Sequence, residues 1–298
     1  MGWLPHCVAL ARMAEDTAPP LPRSAATTDA VAAPTRSRWF SDNPDKAWVE
    51  KFFLAYSPVW MLSMAVMVLT GWDKSFGDVP LLLHGFGTAL PLIVVPALVA
   101  HRHTDKPWYD SYWLKANLYL AIFAFLGSYF GSEYFFDVLG MVYVYPNATT
   151  TLDSALVGTG AQTVPLVMYP YAYVYFSTYH CTANIALRRL QRLELPGGAL
   201  LFPIFVFVIA YFWSWLETKA MANPMMASSF YYTSLDRMLL YGSAIYGIYF
   251  VCSFPVYYHL DETRQRSWSV LQTCAAALSV SMLTLFGLDI VTHWLGVL

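Results

Sequence analysis

The sequence predicts an all-α fold: a polytopic membrane helix bundle of about seven transmembrane helices with a cytosolic N-terminus. Three observations lead there. Charged residues make up 12% of the 298 and hydrophobic residues 57%, against roughly 25% charged in soluble domains. Apolar runs near the roughly 20 residues that cross a hydrocarbon core recur along the chain. Lys and Arg gather in alternate loops, the asymmetry that sets membrane orientation. The 17 Lys+Arg nearly cancel the 19 Asp+Glu, so no strong field exists to bind nucleic acid. Soluble-enzyme and disordered-adaptor classes are excluded by the same composition.

Residues 1–42 are expected to form a disordered tail, and residues 43–298 the transmembrane domain. From residue 14 to about 40 the chain is rich in Ala, Thr, Pro and Arg without apolar periodicity. The apolar run within Met1–Met13 lacks a cleavage signal, so it does not predict a signal peptide. Seven spans follow, at about Phe52–Gly71, Val79–Ala100, Tyr112–Tyr134, Thr163–Leu187, Gly198–Ala220, Asp236–Tyr258 and Val270–Thr292. They are apolar almost all round, as lipid-facing helices are. Helices are expected because lipid offers no hydrogen-bond partner to an open strand. Arg12, Arg23, Arg36, Arg38, Lys46 and Lys51 precede the first span, and Arg102, Lys106 and Lys115 surround the second loop. Arg188, Arg189 and Arg192 follow the fourth span, and Arg264 and Arg266 the sixth, leaving Lys74, Lys219 and Arg237 on the other side. The loop from about Asp137 to Gln162 has no Lys or Arg and carries an Asn147-Ala148-Thr149 sequon. No internal repeat of the kind built into many transporters is evident.

Several chemistries lack their residues. Cys7, Cys181, Cys252 and Cys274 form no C-x-x-C pair and are expected to be packing residues. The seven His form no dense boxes, and His101-Arg102-His103 is a solvated pair by expectation, so no metal site is predicted. Gly85-Phe86-Gly87 lies in an apolar span and is no nucleotide fingerprint. The seventh span has no Lys for a retinal Schiff base. No cofactor is predicted, which leaves chemistry that side chains perform alone.

Ionisable groups at membrane depth cost roughly 2.5–3.5 kcal/mol on insertion scales, so each needs a reason. The third span carries Asn117 near its cytosolic end and Glu133 near the other, with Tyr129 four residues before the acid on one face. The fourth carries His180 and Asn184, in a stripe with Tyr173, Phe176 and Ser177. The fifth ends in Trp213-Ser214-Trp215-Leu216-Glu217, the sixth opens with Asp236-Arg237, and the seventh holds Asp289. Alternating helix direction places the acids in one layer, where ionisation of all of them is costly and at least one stays protonated as a general acid. Each residue also has a plain structural role open to it: headgroup contact for the glutamates, an ion pair for Asp236-Arg237, an interhelical hydrogen bond for His180 and Asn184. Gly127-x-x-x-Gly131 predicts a close helix contact.

Read in order, a set of stretches from about Asn43 to Glu262 resembles the cycloeucalenol cycloisomerase family. They include Asn43-Pro44-x-Lys46-x-Trp48, Tyr112-Trp113-x-Lys115-Ala116-Asn117-Leu118 and Tyr134-Phe135-Phe136. Tyr179-His180, Asn184-Ile185, Leu187-Arg188-Arg189-Leu190, Leu216-Glu217-Thr218, Ala222-Asn223, Asp236-Arg237, Ser253-Phe254-Pro255 and Asp261-Glu262 complete the set. The chain departs from the plant pattern at Glu133, where that pattern has His, and at Gly242, where it has Arg. The resemblance implies opening of the 9β,19-cyclopropane ring of a cyclopropyl sterol, cycloeucalenol to obtusifoliol being the type case, by acid–base isomerisation to a Δ8 sterol. Glu217 is then expected to be the proton donor, Glu133 its partner, and His180, oriented by Asn184, the alternative base. Tyr129, Trp213 and Tyr246 are candidates for ring-face contact, Asn117 or Asn223 for the sterol hydroxyl, and Asp236 for the substrate-binding layer. The expected partners are a sterol and the bilayer, with no protein partner. The expected location is the endoplasmic reticulum in a eukaryote or the inner membrane in a bacterium. Alternatives are a sterol double-bond isomerase and a non-catalytic sterol- or lipid-binding transporter or receptor.

Overall fold

The structure, a computed structural model, describes residues 39–99, 102, 104 and 106–295. Nearly all of the predicted tail, the Met1–Met13 run, Cys7, His101 and His103 lie outside the described residues. Helix α1 runs Pro44–Thr70. The Asn43 side chain accepts the Asp45 N–H at its start, with Pro44 in the first turn, and Gly71 ends it in the left-handed region at φ 70°. Helix α2 runs Asp78–Val99, interrupted only at Leu90, which keeps a helical backbone before Pro91, a residue with no N–H to donate. Helix α3 runs Tyr112–Asp137, α4 Met168–Gln191, α5 Gly198–Met221, α6 Leu235–His259 and α7 Val270–Leu295. Each span predicted from the sequence overlaps one of these helices.

Six of the seven, all but α4, are long and apolar enough to cross a membrane, so the protein is an integral membrane protein. Helix α4 has the length, at 24 residues, but a polar and aromatic composition. Its position explains that: α4 packs against α1, α2, α3, α5 and α6, and most of its side chains are buried among them. A helix covered by protein on most faces need not be apolar all round.

A two-stranded antiparallel ribbon modifies the all-α expectation. Strand β1, Met141–Tyr143, pairs with β2, Phe230–Tyr232, in the register Met141↔Tyr232 and Tyr143↔Phe230. The ribbon joins the loops after α3 and after α5, so it marks one end of the bundle, called here the ribbon end. The other end, where α1 and α3 start and α4 and α6 finish, is the charged end. Helices α3 and α6 each contain a widened π-type turn, at Gly127–Gly131 and Met238–Gly242. The Gly127/Gly131 pair makes the close contact expected of it: Tyr249 of α6 donates to the Gly127 carbonyl at 3.1 Å, and a Cβ on Gly131 would collide with the Tyr249 hydroxyl.

Candidate functional site: a carboxyl between two cavities

Two cavities meet at Glu217. The larger, about 630 Å³, is a slot between α1 and α5. Its walls come from Met61, Met64, Ala65 and Val68 on one side and Trp213, Leu216, Glu217 and Ala220 on the other. Both sets recur at three- and four-residue intervals, so each is one helical face. Tyr175 and Tyr179 of α4 close the back, and Asn223 stands at the ribbon end. Volumes of roughly 300–1,000 Å³ with mostly apolar walls are typical of small-molecule sites. The smaller cavity, about 100 Å³, is a chamber walled by Tyr143, Tyr145, Tyr171, Tyr175, Tyr232, Tyr246 and Tyr249. Met64, Tyr175, Glu217 and Met221 line both.

Tyr246 donates to Glu217 Oε2 at 2.6 Å, and Tyr179 also acts on the carboxyl. Among the described residues, every ion pair lies at the charged end, and none involves Glu217. A carboxyl surrounded by phenols, with no cation to hold it ionised, can keep a proton and surrender it to a reacting carbon. Trp213, stacked on Tyr179 at 4.5 Å between ring centroids, and Tyr175 place aromatic faces beside it, the surfaces that attract a cation.

The chain is 34% identical over 269 residues to the cycloeucalenol cycloisomerase of Arabidopsis thaliana, a match spanning 87% of this chain and 90% of that protein. The chain belongs to the cycloeucalenol cycloisomerase family. No family model and no solved structure matches it.

The cycloisomerase residues singled out from the sequence divide sharply. Glu217, Tyr246, Trp213 and Asn223 come together at the cavities. Asn223 accepts the Met225 N–H at 2.8 Å and donates to the Ala220 carbonyl, so it also shapes the turn that ends α5. Glu133 does not join them. It is 1% exposed and lies on α3 against Gly158 of the following loop, outside the lining of either cavity. The expected Glu133–Glu217 pair is therefore absent, because residue 133 faces that loop while Ser132 and Phe135 of the same helix face the chamber.

His180 is fully buried, and both ring nitrogens are engaged, Nδ1 with the Phe176 carbonyl at 2.8 Å and Nε2 with Ser253 Oγ at 2.5 Å. Phe123, Phe254 and Tyr257 enclose its ring, so it is buried in the core joining α4 to α6, outside the lining of the slot. Asn184 does not orient it; its amide donates to Glu50 at 3.1 Å. Asn117 caps no ligand either: it donates to the Trp113 and Leu92 carbonyls and accepts from Tyr173. Tyr129 stacks on Phe125, away from both cavities. Asp236 is exposed at the start of α6.

Tyr246 was legible in the sequence, but the phenols of α4 that line the cavities were not singled out as site residues. Tyr171, Tyr175 and Tyr179 recur every four residues on α4, a stripe beside the His180 face that drew attention. The period was visible, and so was its concentration of hydroxyls.

The quoted family stretches also converge at the charged end. Lys46 donates to the Tyr258 and Leu260 carbonyls and pairs with Glu262 at 3.0 Å. Lys115 pairs with Asp261 at 2.9 Å. Arg188 bridges Glu50 at 2.8 Å and Glu262 at 2.6 Å and donates to the Trp39 carbonyl. Burial alone would push the Glu262 carboxyl up, but its hydrogen bonds from Arg188 and the charge of Lys46 hold it below the usual carboxylate range.

Proposed function

We propose that this cycloisomerase opens the 9β,19-cyclopropane ring of a cyclopropyl sterol, with Glu217 as the proton donor. The observation that carries the proposal is a cation-free carboxyl, bonded by a phenol, on the wall of an apolar slot of about 630 Å³. The name of the Arabidopsis thaliana relative supports the substrate class. The Glu217 proton adds to C19, and the C9–C19 bonding pair becomes the new C19–H bond, turning the bridging methylene into a methyl group. C9 is left cationic, facing the carboxylate just formed and the Trp213 and Tyr175 ring faces. The C8–H pair then moves into the C8=C9 bond, and the released proton returns to Glu217. Because C19 and the C8 hydrogen share one sterol face, a single carboxyl serves both steps.

In this reading α1 and α5 admit the sterol from the bilayer, and its hydroxyl lies toward Asn223, the polar end of the slot. Helix α4 is the seventh crossing. In this reading the charged end and the N-terminus face the cytosol, which the basic residues of that end support, and the endoplasmic reticulum is the host membrane in a eukaryote.

The test is conversion by membranes containing the protein. Supplied with cycloeucalenol, they are expected to yield a Δ8 sterol identified by gas chromatography and mass spectrometry. Saturable binding with the sterol recovered unchanged would replace the enzyme by a carrier. Conversion of only a Δ8 alkene would make it a double-bond isomerase.

A further inference from the structure

The slot is walled by apolar side chains, yet a carboxyl that gives up protons needs a way to equilibrate with water. The tyrosine-walled chamber behind Glu217 offers one. At about 100 Å³ it has room for about three waters at their share of roughly 30 Å³ each. Each phenol can donate and accept. Tyr175 borders both Glu217 and Tyr171, its ring stacked on that of Tyr171 at 6.3 Å. Tyr171 in turn is hydrogen-bonded to His84 Nδ1 at 2.8 Å, and His84 Nε2 to Ser63 at 2.9 Å.

Beyond the chamber wall lies a second carboxyl, Asp73: Ser229 donates to it, and the Ser229 carbonyl accepts the N–H of Val144, between the wall residues Tyr143 and Tyr145. Asp73 acts electrostatically on both Tyr145 and Tyr171. It sits in the short helical turn Trp72–Ser75 between α1 and α2, at the ribbon end, beside exposed Lys74. Asp73 is 3% exposed. Its Oδ2 accepts from Ser229, and its Oδ1, buried as well, has no hydrogen-bond partner among the described residues. A buried carboxylate oxygen without a partner among the described residues is placed to meet water.

We propose that the chamber is a proton passage from Glu217 to Asp73, through which the acid exchanges its proton with the water at the ribbon end between turnovers. This rests on Glu217 being the donor. It adds that exchange of the donated hydrogen with solvent runs by way of Asp73.

The test is turnover of cycloeucalenol in D2O by the full-length protein in membranes, with the mass of the Δ8 product read at its new methyl group. That position does not exchange once formed. Wild type is expected to give mostly singly deuterated product. In Asp73→Asn, which keeps the shape and the contact with Ser229, the labelled fraction is expected to fall by more than half. General structural damage would act the other way, because slower turnover leaves more time for exchange and raises the labelled fraction. Tyr145→Phe is a second variant with the same expected fall. Unlabelled product from wild type, or an unchanged or raised fraction in both variants, would overturn the passage and leave ring opening intact. Absence of any product from wild type would remove the ring-opening reading and the passage together.

Discussion

The two ends of the bundle use carboxyl groups in opposite ways. At the charged end Glu50, Asp261 and Glu262 meet Lys46, Lys115 and Arg188 in direct ion pairs. At the ribbon end Glu217 meets Tyr246, and Asp73 meets Ser229. A buried carboxylate paired with cations ties helices together. One held by hydroxyls has no such cation partner. The charged end therefore ties the helices together, and the Glu217 region holds the carboxyl proposed above as the proton donor.

The largest expected effect on stability comes from breaking the clamp. Arg188→Met strands Glu50 and Glu262, and removing one partner of a buried pair costs about 3–5 kcal/mol; a thermal melt of the detergent-solubilised protein should show a large drop in midpoint. A smaller effect, on rate, comes from Tyr246→Phe. Hydrogen bonds to charged groups contribute roughly 1.5–3 kcal/mol, so turnover should fall by about tenfold or more, with the melting midpoint little changed.

Acid separates the ends without mutation. The Glu262 carboxyl is depressed in the folded protein, so its contribution is full above the unfolded pKa and is lost as pH falls through the folded value. Melting midpoints should decline below about pH 4, and Glu262→Gln should flatten that decline. Least of all should change in Glu133→Gln, where turnover is expected to stay within about twofold of wild type; a collapse of turnover there would restore Glu133 to the chemistry.

The same division governs what the sequence made legible. Span positions follow from apolar length, and the helices overlap them. Helix α4 shows the limit: hydropathy identifies contact with lipid, and α4 is covered by its neighbours. Glu217 stood out because an acid inside an apolar run has few other uses. Glu133 and His180 stood out by the same rule but lie outside both cavities, because helical spacing assigns a residue to a face without saying which neighbour covers that face. Gly158 lies against Glu133 from a loop with no apolar period, and Ser253 reaches His180 from a residue 73 positions away. The clamp was present as scattered motif stretches, but pairing Lys46 with Glu262 needs the fold.

The central claim is tested most directly by assaying Glu217→Gln and Glu50→Gln side by side, for cyclopropyl sterol conversion and for thermal midpoint. Glu217→Gln should lose about a hundredfold to ten-thousandfold in turnover, the range for a general acid, while melting like wild type. Glu50→Gln should melt at lower temperature and, below that temperature, retain turnover. Near-normal conversion by a well-folded Glu217→Gln protein would contradict the account.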